Sequence, residues 1–135
     1  MNRRLIIIFV LLLMLSGCAT APEEPEESRE IAPLYRQISQ EEAHELMESG
    51  DGCIILDVRT VQEYEQAHIP GAVCVPNESI KDTPPAELPD TDATILVYCR
   101  TGIRSKDAAE KLANMVYTDV REFGGIMSWV YGTEY

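Results

Sequence analysis

Thr94-Ile95-Leu96-Val97-Tyr98-Cys99-Arg100-Thr101-Gly102-Ile103-Arg104-Ser105 is the stretch on which the fold turns. Residues 94–98 form an apolar run without alternation, the pattern of a strand covered on both faces in a parallel sheet. The run leads straight into Cys99. After a short loop, Ala108, Leu112, Met115 and Val116 recur at i, i+4, i+7 and i+8, which predicts a helix. In open parallel sheets, ligands bind beyond the carboxyl ends of the strands. A tight loop there can turn successive N–H groups inward as an anion-binding nest, and the helix N-terminus adds positive potential. The same field favours a thiolate, so Cys99 is expected to have a depressed pKa and to act as a nucleophile. Arg100, Thr101, Gly102, Ile103, Arg104 and Ser105 are the expected anion-binding loop, with Gly102 permitting the bend.

The segments on either side continue the alternation of strand and helix. Cys53-Ile54-Ile55-Leu56 is a second continuous apolar strand, ending at Asp57-Val58-Arg59. Thr60 and Glu63 make a capping box for a short helix to about Ala67. His68-Ile69-Pro70-Gly71 is a turn by composition, Ala72 to Val75 a brief strand, and residues 76–93 a long connection. Upstream, Tyr35 to Ile38 is a short first strand. Ser39 and Glu42 form another capping box, Ala43, Leu46 and Met47 a helical stripe that Gly50 ends, and His44 plain surface. Downstream, Val120 to Phe123 is a last strand, and Gly124-Gly125 turns into an amphipathic stretch with Ile126, Trp129 and Val130. Together these predict one α/β domain with a central parallel sheet over residues 34–135.

Residues 1–33 read differently. Arg3 and Arg4 precede an unbroken apolar run of eleven residues, Leu5 to Leu15. As a helix it would reach about 16 Å, too short to span a bilayer and suited to a signal peptide. Leu15-Ser16-Gly17-Cys18 resembles the lipobox of bacterial lipoproteins. That resemblance implies cleavage after residue 17, lipidation of Cys18, and a chain held to a membrane of the bacterial cell envelope, outside the cytoplasm. Residues 18–33, with Pro22, Pro25, Pro33 and five Glu, read as an extended, self-repelling tether.

Charge and cysteine usage narrow the function. Residues 34–135 carry 18 acids and 8 bases, a formal charge of −10. Such a body has no attraction for nucleic acid or anionic lipid, so any membrane association is expected through the lipid anchor alone. Four of those bases (Arg100, Arg104, Lys106 and Lys111) surround the Cys99 loop, a local positive site that suits a small anionic ligand. No pair among Cys18, Cys53, Cys74 and Cys99 has C-x-x-C spacing, and His44 and His68 lie far apart, so neither a metal nor another cofactor is expected. Cys53 and Cys74 sit in apolar runs and read as small core hydrophobes.

Cys99-x-x-Gly102-x-Arg104-Ser105 after a hydrophobic strand resembles the active loop of rhodanese, or thiosulfate sulfurtransferase. Asp57-Val58-Arg59, Glu63-Tyr64 and His68-Ile69-Pro70-Gly71-Ala72 resemble that family's first signature, and Gly124-Gly125 with Trp129 its C-terminal one. Ala67 and Cys74 stand where the family usually has Gly and Asn. The resemblance implies a mostly parallel five-stranded sheet with helices on both faces. It also implies transfer of sulfane sulfur from a small anionic donor such as thiosulfate, through a Cys99 persulfide, to a thiol or cyanide acceptor, by a monomer. Arg104 would orient the donor, Asp57 and Arg59 would support the site or the fold, and His68 would be a turn residue rather than a base. A sulfur-carrier or sulfide-sensing module is the alternative reading. A phosphatase is remote, because four residues between Cys99 and Arg104 give a cradle one residue shorter than in the related phosphatases.

Overall fold

A computed structural model describes residues 34–135. The expected signal peptide, Cys18 and the expected tether lie outside the described residues. The elements run β1 (Arg36–Gln37), α1 (Gln40–Glu48), β2 (Ile54–Asp57), α2 (Val61–Gln66), β3 (Val73–Cys74), β4 (Thr94–Cys99), α3 (Ile103–Asn114) and β5 (Asp119–Gly125), with single 3₁₀ turns at Asn77–Ser79 and Ile126–Ser128. The five strands form one sheet in the order β1-β5-β4-β2-β3, and every pairing is parallel.

Side chains alternate across β4, and so the central strand feeds two cores. Ile95, Val97 and Cys99 pack with Ala108, Ala109 and Leu112 of α3 on one face. Leu96 and Tyr98 pack with Ala43, Leu46 and Met47 of α1 and Tyr64 of α2 on the other. The expected α/β sheet with helices on both faces is therefore what forms. The connection 76–93 also contributes to the core: Ile80 and Leu88 are buried in the α3-side cluster, and Tyr117 Oη donates to the Leu88 carbonyl at 2.8 Å.

Four local expectations change. Ser39 caps α1 by accepting from Glu42 N–H, but no reciprocal bond from the Glu42 carboxylate accompanies it; that carboxylate lies 3.6 Å from Arg36 instead. The box at Thr60 and Glu63 is complete. Helix α3 ends at Asn114, which leaves Val116 outside the helix and exposed, and its buried stripe is Ser105, Ala108, Ala109 and Leu112. Gly124 and Gly125 belong to β5 rather than to a turn. His44 is not plain surface, since its ring stacks on Tyr131 at 3.9 Å and meets Trp129 edge-on.

Candidate active site

Cys99 ends β4 with 1% of its surface exposed. Gly102 N–H donates to its Sγ at 3.0 Å, and Ser105 Oγ lies 3.5 Å from the same sulfur. Burial opposes the thiolate. The Ser105 hydroxyl and the Ser105, Gly102 and Thr101 N–H groups nevertheless outweigh it, and the Cys99 pKa falls below that of an ordinary thiol. The loop and the first turn of α3 thus converge on one sulfur, as the spacing predicts.

Two glycines shape that loop. Gly102 caps α3 with φ +105°, a left-handed conformation that L side chains rarely adopt. Gly125 of β5 lies directly against the loop backbone: a Cβ there would sit 2.1 Å from the Arg100 carbonyl oxygen. Met127 N–H donates to that same carbonyl at 3.2 Å. The loop is therefore seated on β5, and Gly125 is the residue that lets it approach.

Arg104 has a partner within the chain. Its guanidinium makes two hydrogen bonds to the Glu63 carboxylate, at 2.8 and 2.9 Å, with both side chains just over a quarter exposed. Glu63 also accepts from Thr60 N–H and Oγ at the start of α2. Arg104, then burial acting the other way, and Thr60 together hold the Glu63 pKa down at about 2. Arg104, in the first turn of α3, feels the charge of Cys99 but already carries a counter-ion. Arg100, Thr101 and Ile103 are exposed on the rim.

Asp57 and Arg59 lie at the end of the neighbouring strand and bond away from the sulfur. Arg59 Nη2 meets Asp57 Oδ2 at 2.6 Å and the Ala67 carbonyl at 2.7 Å. Tyr98 Oη donates to the same carboxylate at 2.7 Å and accepts from Ile69 N–H. Among the described residues none of these bonds reaches Cys99, so the pair fastens β2 and β4 to the His68 turn. His68 serves that turn: its ring stacks on Tyr64 at 3.8 Å, Nδ1 lies 2.9 Å from the Tyr64 carbonyl, and its backbone exchanges two hydrogen bonds with Glu134.

The spare thiols face elsewhere. Burial, followed by the charge of Asp57, pushes Cys74 up to about 11, and burial raises Cys53 as well. No three His, Cys, Asp or Glu side chains among the described residues cluster as metal ligands. Sequence reasoning missed Glu122, a buried acid on β5 that accepts from Ser105 Oγ at 2.6 Å and from Gly124 N–H at 2.8 Å. The available signal was an acid within the predicted strand Val120 to Phe123.

The model of the rhodanese-like domain matches residues 39–131. The chain belongs to this family. It is 38% identical over 71 residues to thiosulfate sulfurtransferase PspE of Escherichia coli, covering 53% of this chain and 68% of that one. It is 34% identical to the putative sulfur carrier protein YrkF of Bacillus subtilis, covering 81% of this chain and 58% of that one. A solved rhodanese with anions from E. coli superposes with a TM-score of 0.56 at 32% identity, over 62% of this chain and 98% of its own. Rhodanese-like sulfurtransferases and sulfur carriers are thus the company in which the Cys99 loop belongs.

Proposed function

We propose that this rhodanese-like chain is a sulfurtransferase working through a persulfide on Cys99. The observation that carries the proposal is the buried sulfur at the end of β4, held by Gly102 N–H at 3.0 Å and by Ser105, with its pKa lowered by those donors. The Cys99 thiolate attacks the outer sulfur of thiosulfate. A new S–S bond forms, the S–S bond of thiosulfate breaks, and sulfite leaves with the bonding pair. Attack by a thiolate or cyanide on the outer sulfur then yields a persulfide or thiocyanate and returns the Cys99 thiolate. The loop N–H groups bear the negative charge that stays on the site throughout. Arg104 draws the anionic donor once its bond to Glu63 gives way.

PspE favours turnover with thiosulfate, whereas YrkF and the occupied Arg104 favour a second reading, a sulfur carrier that exchanges slowly with free thiosulfate. Intact-mass measurement after thiosulfate treatment tests both. Sulfurtransferase action adds one sulfur to the wild type and none to a folded Cys99→Ser variant, and cyanide removes it as thiocyanate. Loading without steady thiocyanate production selects the carrier. Loading of Cys99→Ser removes both.

We further propose, from Leu15-Ser16-Gly17-Cys18, that the domain is lipid-anchored through Cys18 in the cell envelope. Release of a Cys18→Ser chain from membranes supports this; retention of that variant after high-salt washing contradicts it.

A further inference from the structure

The Cys99 loop and the start of α3 carry side chains that the sulfur chemistry above does not use. Among the described residues, five of the eight bases have a carboxylate partner: Arg36, Arg59, Arg104, Lys111 and Arg121. Lys81, Arg100 and Lys106 have none. Two of these three belong to one short segment, Arg100 in the loop and Lys106 in the first turn of α3, and both are exposed. Two large apolar side chains accompany them. Ile103 is 79% exposed and Met127 67%. Met127 is held against the loop by its N–H bond to the Arg100 carbonyl at 3.2 Å. Ile103 and Lys106 are three residues apart on α3 and so are neighbours on its surface. Arg100, Ile103, Lys106 and Met127 thus make one edge, part apolar and part positive, on a body of formal charge −10.

We infer that this edge docks a protein acceptor, a polypeptide segment that presents its thiol among acidic and apolar side chains. This rests on the reading of Cys99 as the residue that carries the sulfur, and names the class of acceptor for it. Charge complementarity supports the choice. Acids of the segment meet Arg100 and Lys106, which have no carboxylate partner among the described residues, while its apolar side chains cover Ile103 and Met127. Cyanide or a small thiol covers no such surface and gains nothing from it.

An anionic bilayer also combines negative charge with apolar depth, but it is a broad surface and meets the whole acidic body. A segment confined to the edge feels mainly the charges within about 10 Å, the screening length at ordinary ionic strength, and there the unpaired bases prevail. In the transfer itself, the segment's thiolate attacks the outer sulfur of the Cys99 persulfide. A new S–S bond forms on the segment, the bond between Cys99 and that sulfur breaks, and the bonding pair returns to Cys99 as its thiolate.

The test follows, by intact mass, the discharge of the full chain after thiosulfate loading and removal of the excess. The acceptors are short synthetic peptides with a single cysteine, set among Glu and Leu in one and among Lys and Leu in the other. Each rate is divided by that peptide's rate with a small disulfide, which removes differences in thiol reactivity. The Glu peptide should discharge the chain about tenfold faster than the Lys peptide at low salt, and the advantage should shrink as salt rises. Lys106→Glu and Met127→Ser should each lower that advantage severalfold and leave discharge to dithiothreitol unchanged. Equal rates for the two peptides, or an advantage that persists in both variants, overturn the inference; if a variant does not fold, the wild-type preference and its salt dependence decide. Sedimentation of a Cys18→Ser chain with phosphatidylglycerol vesicles, lost on adding Lys106→Glu, would give the edge to a membrane and also overturn it. Binding of the Glu peptide with Ser in place of its cysteine, read by fluorescence anisotropy, needs no sulfur. Such binding in a chain that takes no sulfur from thiosulfate keeps the docking edge and discards the sulfurtransferase reading, and sulfur loading with neither binding nor preference does the reverse.

Discussion

β2 and β4 lie side by side in one sheet, and an arginine paired with an acid is found at or shortly after the end of each: Arg59 with Asp57 after β2, and Arg104 of α3 with Glu63 of α2 after β4. At the end of β2, Arg59 and Asp57 are almost wholly enclosed, and Tyr98, Ile69 and Ala67 complete their bonding. Beyond β4, Arg104 and Glu63 are each more than a quarter exposed, and the charge of Cys99, whose pKa is lowered, acts on Arg104. The enclosed pair presents almost no surface to a visitor. The open pair can exchange one partner for another. An arginine–carboxylate pair is thus an enclosed joint in one place and an open edge in the other, and the difference lies in how much water reaches it.

The largest effect expected from separating these roles is on stability. Asp57→Ala leaves the Arg59 guanidinium buried without its counter-ion and should cost about 3–5 kcal/mol, read by denaturant unfolding. The folded fraction should still load sulfur on Cys99; loss of loading in folded protein would make the β2 end part of the reaction. At the start of α3, Arg104→Ala removes the charge-assisted contact proposed for the donor. Catalytic efficiency with thiosulfate should fall by about 1.5–3 kcal/mol, roughly ten- to hundredfold, with little change in the unfolding midpoint. Unchanged efficiency would place Arg104 in service to Glu63 alone.

A smaller effect follows from Glu63. Its folded pKa of about 2 lies below the ordinary 4.5, so its contribution is complete above pH 4.5 and is lost as pH falls towards 2. The difference in melting temperature between wild type and Glu63→Gln should be constant above that window and shrink within it. A difference that ignores pH would assign the stabilisation to the Thr60 cap instead. The smallest effect is expected at Cys53 and Cys74. Cys74 sits on β3, two strands from β4, and two spacings of about 4.8 Å exceed disulfide reach. Cys53→Ala and Cys74→Ala should keep sulfur loading, and peptide mapping of oxidised protein should find neither residue joined to Cys99. A Cys74–Cys99 disulfide would turn the persulfide scheme into a dithiol one.

Local signals carried much of this structure. The apolar run before Cys99, the glycine three residues on and the helical stripe beyond sit within one short segment, so nucleophile, loop and helix could all be read together. The Thr60–Glu63 cap was legible for the same reason. What escaped came from distant segments. Glu63 reads as a helix cap because its second partner, Arg104, is 41 residues away. Glu122 looks like an ordinary strand acid until α3 brings Ser105 against it. Gly125 reads as a turn residue because its function, giving passage to the Arg100 carbonyl, exists only once β5 lies beside β4. Val116 fits the helical period but follows the end of α3, where the chain leaves the helix for β5.

That close approach of Gly125 to the loop has a kinetic meaning. Strand β4 is central, flanked by a strand that precedes it and another that follows it in the chain. The loop that activates Cys99 cannot take its shape before β5, the last strand made, is in place. Non-local parallel pairings of this kind form slowly, because the chain between them must be ordered first. A chain that stops short of that docking is expected to lack the lowered Cys99 pKa. If Cys99 is the nucleophile proposed above, its reactivity is expected to appear at the end of folding, and the rate at which Cys99 becomes labelled during refolding should follow the arrival of β5.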